Sequence, residues 1–163
     1  KIYFPRLTLP LSTAIGALID FLISFSVLMV FLLANNYPIT ARYILLPFLV
    51  LLTMVFSEGV GLLFGALMVF FRDTKNLLGF ILQICMFITP IMYTISIVPE
   101  QYKIFFYLNP LTGFIGAYRW IFLGTDSLPT VEYFVVSSLV AVAFLIVGMI
   151  AFRSMENKIA DVM

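Results

Sequence analysis

Four long apolar runs constrain the fold of this chain more than any other feature. They cover approximately residues 9–34, 43–71, 77–97 and 131–152, with short polar turns between the first three. The hydrocarbon core of a bilayer is about 30 Å thick and is crossed by roughly 20 helical residues, so each run is long enough for one span. Charged residues make up only 10% of the chain, too few to build the surface of a soluble domain of this size. The sequence therefore predicts an all-α membrane protein with four transmembrane helices.

The stretch 98–124 is apolar but too interrupted for a simple lipid-facing span. It contains Pro99, the pair Asn109-Pro110, Gly113, Gly116 and Arg119. A residue that precedes proline is disfavoured in the α conformation, so Asn109-Pro110 predicts a helix boundary. Broken backbone at membrane depth is tolerated where it is buried in protein or lines a cavity. We therefore predict a re-entrant helical hairpin that returns to the side on which it starts.

The distribution of basic residues predicts the orientation of the chain. With four spans, both ends lie on the same side, together with the turn that follows the second span. That side carries six basic residues: Lys1, Arg6, Arg72, Lys75, Arg153 and Lys158. The opposite side carries three: Arg42, Lys103 and Arg119. The positive-inside rule then favours both ends in the cytoplasm. If residues 98–124 made a full span, the count would become four inside against five outside, which fits the rule less well.

Two acidic residues and one glycine pair lie within the predicted spans. A carboxylate at membrane depth is costly, by roughly 2.5–3.5 kcal/mol for Asp on insertion scales, so Asp20 and Glu58 should face protein or water. Two interpretations stay open. These carboxylates line a conduit or a contact between helices, or they lie near lipid headgroups or form a pair with a structural role. Gly61 and Gly65 form a GxxxG pair, which predicts close helix packing and, as a sharper alternative, a helix pair that moves.

The segment from 90 to 124 contains most of the residues that could form a channel mouth. Many of its side chains are aromatic, and two interpretations stay open for them: an interfacial aromatic belt or the lining of an exit on which sugar rings stack. The predicted channel or re-entrant residues are Pro90, Tyr93, Pro99, Glu100, Tyr102, Asn109, Pro110, Tyr118, Arg119 and Trp120.

Several chemistries are excluded by the residues that the chain lacks. It has no His and one Cys, so it has neither a Ser–His or Cys–His nucleophile nor a His/Cys metal cluster. No GxxxxGK[ST] phosphate loop occurs, so the chain does not hydrolyse ATP by itself. The net charge of +1 offers no basic patch for nucleic acid. We therefore expect no catalytic site, no metal and no cofactor in this chain.

Four sequence segments carry a resemblance to a known family: KIYFPRLTLPLS, GLLFGALMVFFRDTKNLLGFILQ, FITPIMYTISIVPEQYKIFFYLNPLTGFIGAYRWIFLG and FRSMENKIADVM. Together they resemble the permease subunits of type-2 ABC exporters, in the branch that exports O-antigen, capsule and teichoic acid. The resemblance implies the third to sixth spans of a six-span permease, with the N-terminal part absent. The implied contacts to the ATPase are Tyr3, Phe4, Pro5, Arg6, Arg72 and Asp73. Thr74 and Lys75 depart from the bulkier or basic residues that the family often has at that turn.

The resemblance also implies a function. The chain is expected to export a lipid-linked polysaccharide or polyol-phosphate polymer across the bacterial inner membrane. Its implied partners are a second permease copy, membrane lipids and two ATPase subunits that bind ATP and Mg²⁺. The alternatives are a type-2 ABC permease for a drug or lipid, a non-transport membrane scaffold that recruits polymer-synthesising enzymes, and an intramembrane enzyme, which the missing nucleophiles disfavour.

Overall fold

The fold was analysed on a computed structural model, which describes residues 8–71, 74–107, 109–124 and 131–162. Every regular element among these residues is helical, and the prediction of an all-α membrane protein is confirmed. The helices are α1 (Thr8–Ala34), α2 (Leu46–Phe70), α3 (Thr74–Ile88), α4 (Glu100–Tyr107), α5 (Pro110–Leu123) and α6 (Val131–Val162). Two short 3-10 helices, Ala41–Leu45 and Ile95–Ile97, precede α2 and α4.

Three helical stretches among the described residues are long and apolar enough to cross a bilayer: Ser12–Ala34, Ala41–Val69 and Phe134–Met155. They match the first, second and last predicted spans. The helix α6 continues beyond its apolar part, and the polar tail that follows residue 152 is helical to Val162. The chain is thus a multi-pass membrane protein.

The third predicted span is shorter in the structure than the sequence indicated. We expected it over 77–97, whereas α3 ends at Ile88 after 15 residues, about 22 Å at 1.5 Å per residue. The reason is Pro90, which has no N–H for a helical hydrogen bond and disfavours helical backbone at Thr89. The chain turns at these two residues, and both are buried. A crossing by α3 together with the following segment stays a prediction.

The turn after α1 is closed by its own backbone. Asn36 adopts a left-handed conformation with φ of 58°, which Asn tolerates better than most residues. The Tyr37 N–H donates to the Leu32 carbonyl at 3.0 Å, and the Asn36 N–H donates to the Leu33 carbonyl at 3.1 Å. This pair of bonds is a Schellman motif, and it satisfies carbonyls that the helix end would otherwise leave unpaired.

The core lies between α2, α5 and α6, with α5 at its centre. Residues of α2 and α5 that are spaced three or four apart bury one face of each helix. The buried cluster consists of Leu46, Leu49, Leu52, Phe114, Ala117, Ile121 and Ala141. Phe114 is 1% exposed, and its ring lies edge-on to Phe56 and Phe134 at centroid distances of 6.4 and 6.5 Å. The second half of the predicted hairpin is therefore an interior helix of the protein.

The helices α2 and α6 pack most closely at two glycines that face each other. A methyl group added to Gly59 would lie 2.5 Å from the backbone nitrogen of Leu145, and one added to Gly148 would lie 3.2 Å from the Gly59 carbonyl carbon. Small residues allow two helix backbones to approach in this way. At the predicted packing pair, Gly61 and Gly65, an added Cβ meets no atom of the described residues within 4 Å. The close contact among the described residues is thus at Gly59 and Gly148, and close helix packing at Gly61 and Gly65 stays a prediction.

Candidate channel mouth

The helix α5 has a capping residue at each end, which explains its sharp boundaries. The Asn109 side chain accepts a hydrogen bond from the Leu111 N–H at 3.1 Å, and Pro110 occupies the first turn, where an N–H is not needed. At the other end Gly124 has φ of 64°, and its N–H donates to the Trp120 carbonyl at 3.2 Å. The predicted boundary at Asn109-Pro110 is therefore the start of α5.

Arg42 holds the C-terminal end of α5. Its guanidinium carbon lies 4.6 Å from the centroid of the Trp120 ring, and its Nη1 donates to the Trp120 carbonyl at 3.4 Å. A cation at this end of a helix is favoured by the helix dipole, and stacking on an indole adds a cation–π attraction. Trp120, predicted as a mouth residue, thus contacts protein. Arg42 was expected only as a charge in an outer loop.

Arg119 and Tyr93 fix the turn that follows α3. The guanidinium of Arg119 donates to the carbonyls of Tyr93 at 2.8 Å and Ile91 at 2.6 Å. The Tyr93 hydroxyl is 3.0 Å from the Phe87 carbonyl and 3.3 Å from the Ile88 carbonyl, so its proton bonds to the unpaired end of α3. Both residues were predicted as channel residues, and the structure brings them together.

A second link joins the same turn to the start of α5. The Asn109 amide nitrogen donates to the Thr89 hydroxyl at 2.8 Å, and that hydroxyl donates to the Cys85 carbonyl at 2.7 Å. Thr89 is 1% exposed, so this network is shielded from solvent. The sequence analysis did not select Thr89. Its place directly before Pro90, where helical backbone is disfavoured, was the feature that could have indicated it, and both residues are buried.

The remaining predicted mouth residues divide between protein contacts and the surface. Tyr118 is half-buried; its hydroxyl lies 3.2 Å from that of Thr53, and its ring stacks on Phe122. Pro99 is exposed before α4, and Glu100 forms an ion pair with Lys103 within that helix. Tyr102 is 51% exposed and Phe105 is 64% exposed. Among the described aromatic side chains of the hairpin, Tyr102 and Phe105 are thus the most open to lipid or cargo.

The two acidic residues in the spans lie at the middles of their helices. Asp20 is exposed on α1, and Glu58 is half-buried on α2. The one ion pair found among the described residues joins Lys103 and Glu100, so neither carboxylate has a cationic partner there. Compensation at that depth therefore comes from water, from a proton or from groups other than the described residues.

The predicted contacts to the ATPase fall on residues that the structure does not describe. Tyr3, Phe4, Pro5 and Arg6 lie outside the described residues, as do Arg72 and Asp73. Their role stays a prediction from the resemblance.

The chain belongs to the ABC-2 type transporter family, whose sequence profile matches residues 2–123. It is 25% identical over 164 residues to an O-antigen export system permease protein RfbA of Klebsiella pneumoniae, covering 100% of this chain and 62% of that relative. It is 26% identical over 163 residues to an O-antigen export system permease protein RfbA of Myxococcus xanthus, covering 99% of this chain and 62% of that relative.

A broader relative matches a shorter stretch. The inner membrane transport permease YadH of Escherichia coli (strain K12) is 29% identical over 96 residues, 59% of this chain and 38% of that relative. The chain thus spans less than two thirds of the length of the O-antigen permeases that it matches.

Proposed function

We propose that this chain is the permease part of an ABC exporter that moves a lipid-linked polysaccharide or polyol-phosphate polymer outward across the bacterial inner membrane. One observation carries the proposal: the chain aligns along 99–100% of its length with O-antigen export permeases. The hairpin of α4 and the buried α5 supports it, because broken helices at membrane depth occur where backbone is enclosed in protein or borders a cavity. The exported polymer passes this hairpin on its way out.

The energy for export comes from a separate ATPase subunit in this proposal. The ATPase binds ATP and Mg²⁺ and docks on the segment Tyr3–Arg6 and on the turn at Arg72 and Asp73. A second permease copy completes the path. The uncompensated carboxylates of Asp20 and Glu58 then face a hydrated conduit or a neighbouring helix rather than lipid.

Deletion of the gene tests the cargo. We expect cells without the permease to lose surface polymer and to retain lipid-linked polymer on the cytoplasmic side, and the wild-type gene to restore export. Normal surface polymer in the deletion strain, with a drug or a lipid retained instead, would favour the alternative cargo.

Two variants test the docking segment within the same strain. We expect Arg6→Ala to reduce export while the amount of protein in the membrane is unchanged, because the lost cation lies in the proposed ATPase contact. Arg153→Ala removes a cation of α6 outside that contact, and serves as the matched control. Equal export by both variants would remove the basis for docking at Arg6.

Cysteine labelling tests the proposed orientation. In a Cys85→Ala background, Gln101→Cys should react with a membrane-impermeant thiol reagent from outside the cell, and Asn157→Cys only after the membrane is opened. Reaction of both from the same side would overturn the proposal that both ends are cytoplasmic.

A further inference from the structure

The segment between α3 and α4 is held in place mainly by side chains of other elements. Within residues 89–94 its backbone makes a bond from the Ile91 N–H to the Thr89 carbonyl at 2.7 Å, while the carbonyls of Ile91 and Tyr93 accept from Arg119. The other side-chain bonds run from Tyr93 and Thr89 to carbonyls of α3, from Asn109 to Thr89, and between Thr94 and Ser96. The conformation of this segment thus depends on a few polar contacts.

The helices on the two sides of these hydrogen bonds, α5 and α3, differ in how firmly they pack on the rest of the protein. On one side, α5 is buried against α2 and α6 and is capped at both ends. On the other side, none of the described side chains of α3 is buried, and α3 packs mainly on α2. The segment beyond it exposes apolar side chains, with Met92 at 85% and Ile97 at 74%. Arg119 therefore ties a weakly packed arm, formed by α3, residues 89–99 and α4, to a fixed helix.

The chemistry of the Arg119 contact suits a bond that opens and closes. Its described partners are two neutral carbonyls, and the ion pair found among the described residues joins other groups. Charge-assisted hydrogen bonds are strong, but water can replace carbonyl oxygens around a guanidinium at a polar surface without leaving a buried charge unpaired. One of the two contacts, to Ile91, is on the exposed side.

We propose that Arg119 forms a latch that holds this arm on α5 and keeps the outer mouth closed when no polymer passes. Release of the Arg119 bonds frees the arm to move away from α5. This inference rests on the proposed function, which supplies the export path and its outer mouth. Arg119 acts here as a positioning residue, and the inference assigns it no contact with the polymer.

Distance measurements on spin-labelled protein test the latch without cargo. Labels at Met92→Cys and Leu139→Cys, in a Cys85→Ala background, report the arm against α6. Both native side chains are exposed, at 85% and 66%, so the labels perturb little packing. We expect one main distance in otherwise unchanged protein. Arg119→Met should lower the ratio of latched to unlatched molecules on the order of a hundredfold, as expected for the loss of two charge-assisted bonds. Tyr93→Phe should leave this ratio unchanged, because the lost hydroxyl bonds to carbonyls of α3 within the arm.

Matched controls are available in the same hairpin. Lys103→Met removes a cation whose ion pair is local to α4, and Tyr102→Phe removes a hydroxyl from a 51% exposed ring. Both should keep the unchanged distance distribution. Arg119→Lys keeps the charge and should restore part of the latched population.

Passive leak provides a readout that a purely structural role would not change. The complete permease, reconstituted with its ATPase in liposomes without ATP, should release a trapped hydrophilic dye faster with Arg119→Met than with the two controls. If Arg119→Met matches the controls in distance and in leak, the latch is overturned. If Arg119→Met does not fold, Arg119→Lys decides, and a distance distribution and leak equal to those of the unchanged protein overturn the latch. Failure of polymer export would contradict the proposed function instead, since neither measurement uses polymer.

Discussion

The helices α3 and α5 are nearly equal in length, with 15 and 14 residues, yet their surroundings are opposite. The helix α5 packs on α2 and α6 and has six buried residues, whereas none of the described residues of α3 is buried. On α3, Leu77 and Phe80 are 57% and 62% exposed. Since both helices are apolar, hydrophobicity alone does not determine which one enters the core. Polar anchors at both ends of α5 fix it in place, and α3 has its anchor only at its C-terminal end among the described residues.

The first way to break this comparison is to remove one large ring from each helix. Phe114→Ala on α5 should lower the free energy of unfolding by about 3 kcal/mol, because the cavity and the lost packing remain costly inside protein. Phe80→Ala on α3 should change it by less than about 1 kcal/mol, since no packed site surrounds this ring within the chain. Unfolding in detergent followed by circular dichroism measures both. Equal losses would show that α3 is packed as tightly as α5.

The second prediction concerns the glycines of α2. Gly59→Ala should destabilise the protein by about 2 kcal/mol, as overpacking against the backbone of Leu145 forces α2 and α6 apart. Gly61→Ala should be neutral or stabilising by about 0.5 kcal/mol, because Ala has the higher helix propensity and meets no neighbour there. The same unfolding assay distinguishes them. A larger loss at Gly61 would place the tight packing on the other face of α2.

These glycines also show what the sequence could predict. The GxxxG spacing of Gly61 and Gly65 indicates a surface suited to close packing, but Gly59 forms the close contact within the chain. The partner glycine, Gly148, lies far away in sequence, and no local pattern records which face of α2 meets it. Span positions follow from apolar run length, which is a local property, and three of the four runs are matched by spanning helices.

In the hairpin, too, local features were predictable from the sequence and contacts between distant residues were not. Its helix boundary at Asn109-Pro110 was predictable because cap residues act locally. The contacts of Arg119 with Ile91 and Tyr93, and of Arg42 with Trp120, join residues more than 25 positions apart. Sequence reasoning selected Tyr93, Arg119 and Trp120 as mouth residues but could not reveal that they hold α5 and the arm in place. For Thr89 the sequence offered its place directly before Pro90, and for Arg42 it offered a positive charge.

The third prediction, with the smallest expected loss of stability, concerns the cap of α5. Asn109→Ala removes the cap of α5 and the bond to Thr89, and should cost about 1 kcal/mol. Ser96→Ala removes an exposed hydroxyl whose partner among the described residues is Thr94, and should cost less than about 0.5 kcal/mol. Thermal unfolding of the two variants gives the comparison. No difference between them would mean that the cap does not stabilise α5.

The most direct test of the account compares the two helices by distance from one reference point. Spin labels at Leu123→Cys on α5 and at Leu82→Cys on α3 are each paired with a label at Leu139→Cys on α6, in a Cys85→Ala background. If α5 is fixed in the core and α3 is part of an arm, the pair on α5 and α6 gives a narrow distance distribution and the pair on α3 and α6 a broader one. A distribution for α3 as narrow as that for α5 would contradict the account.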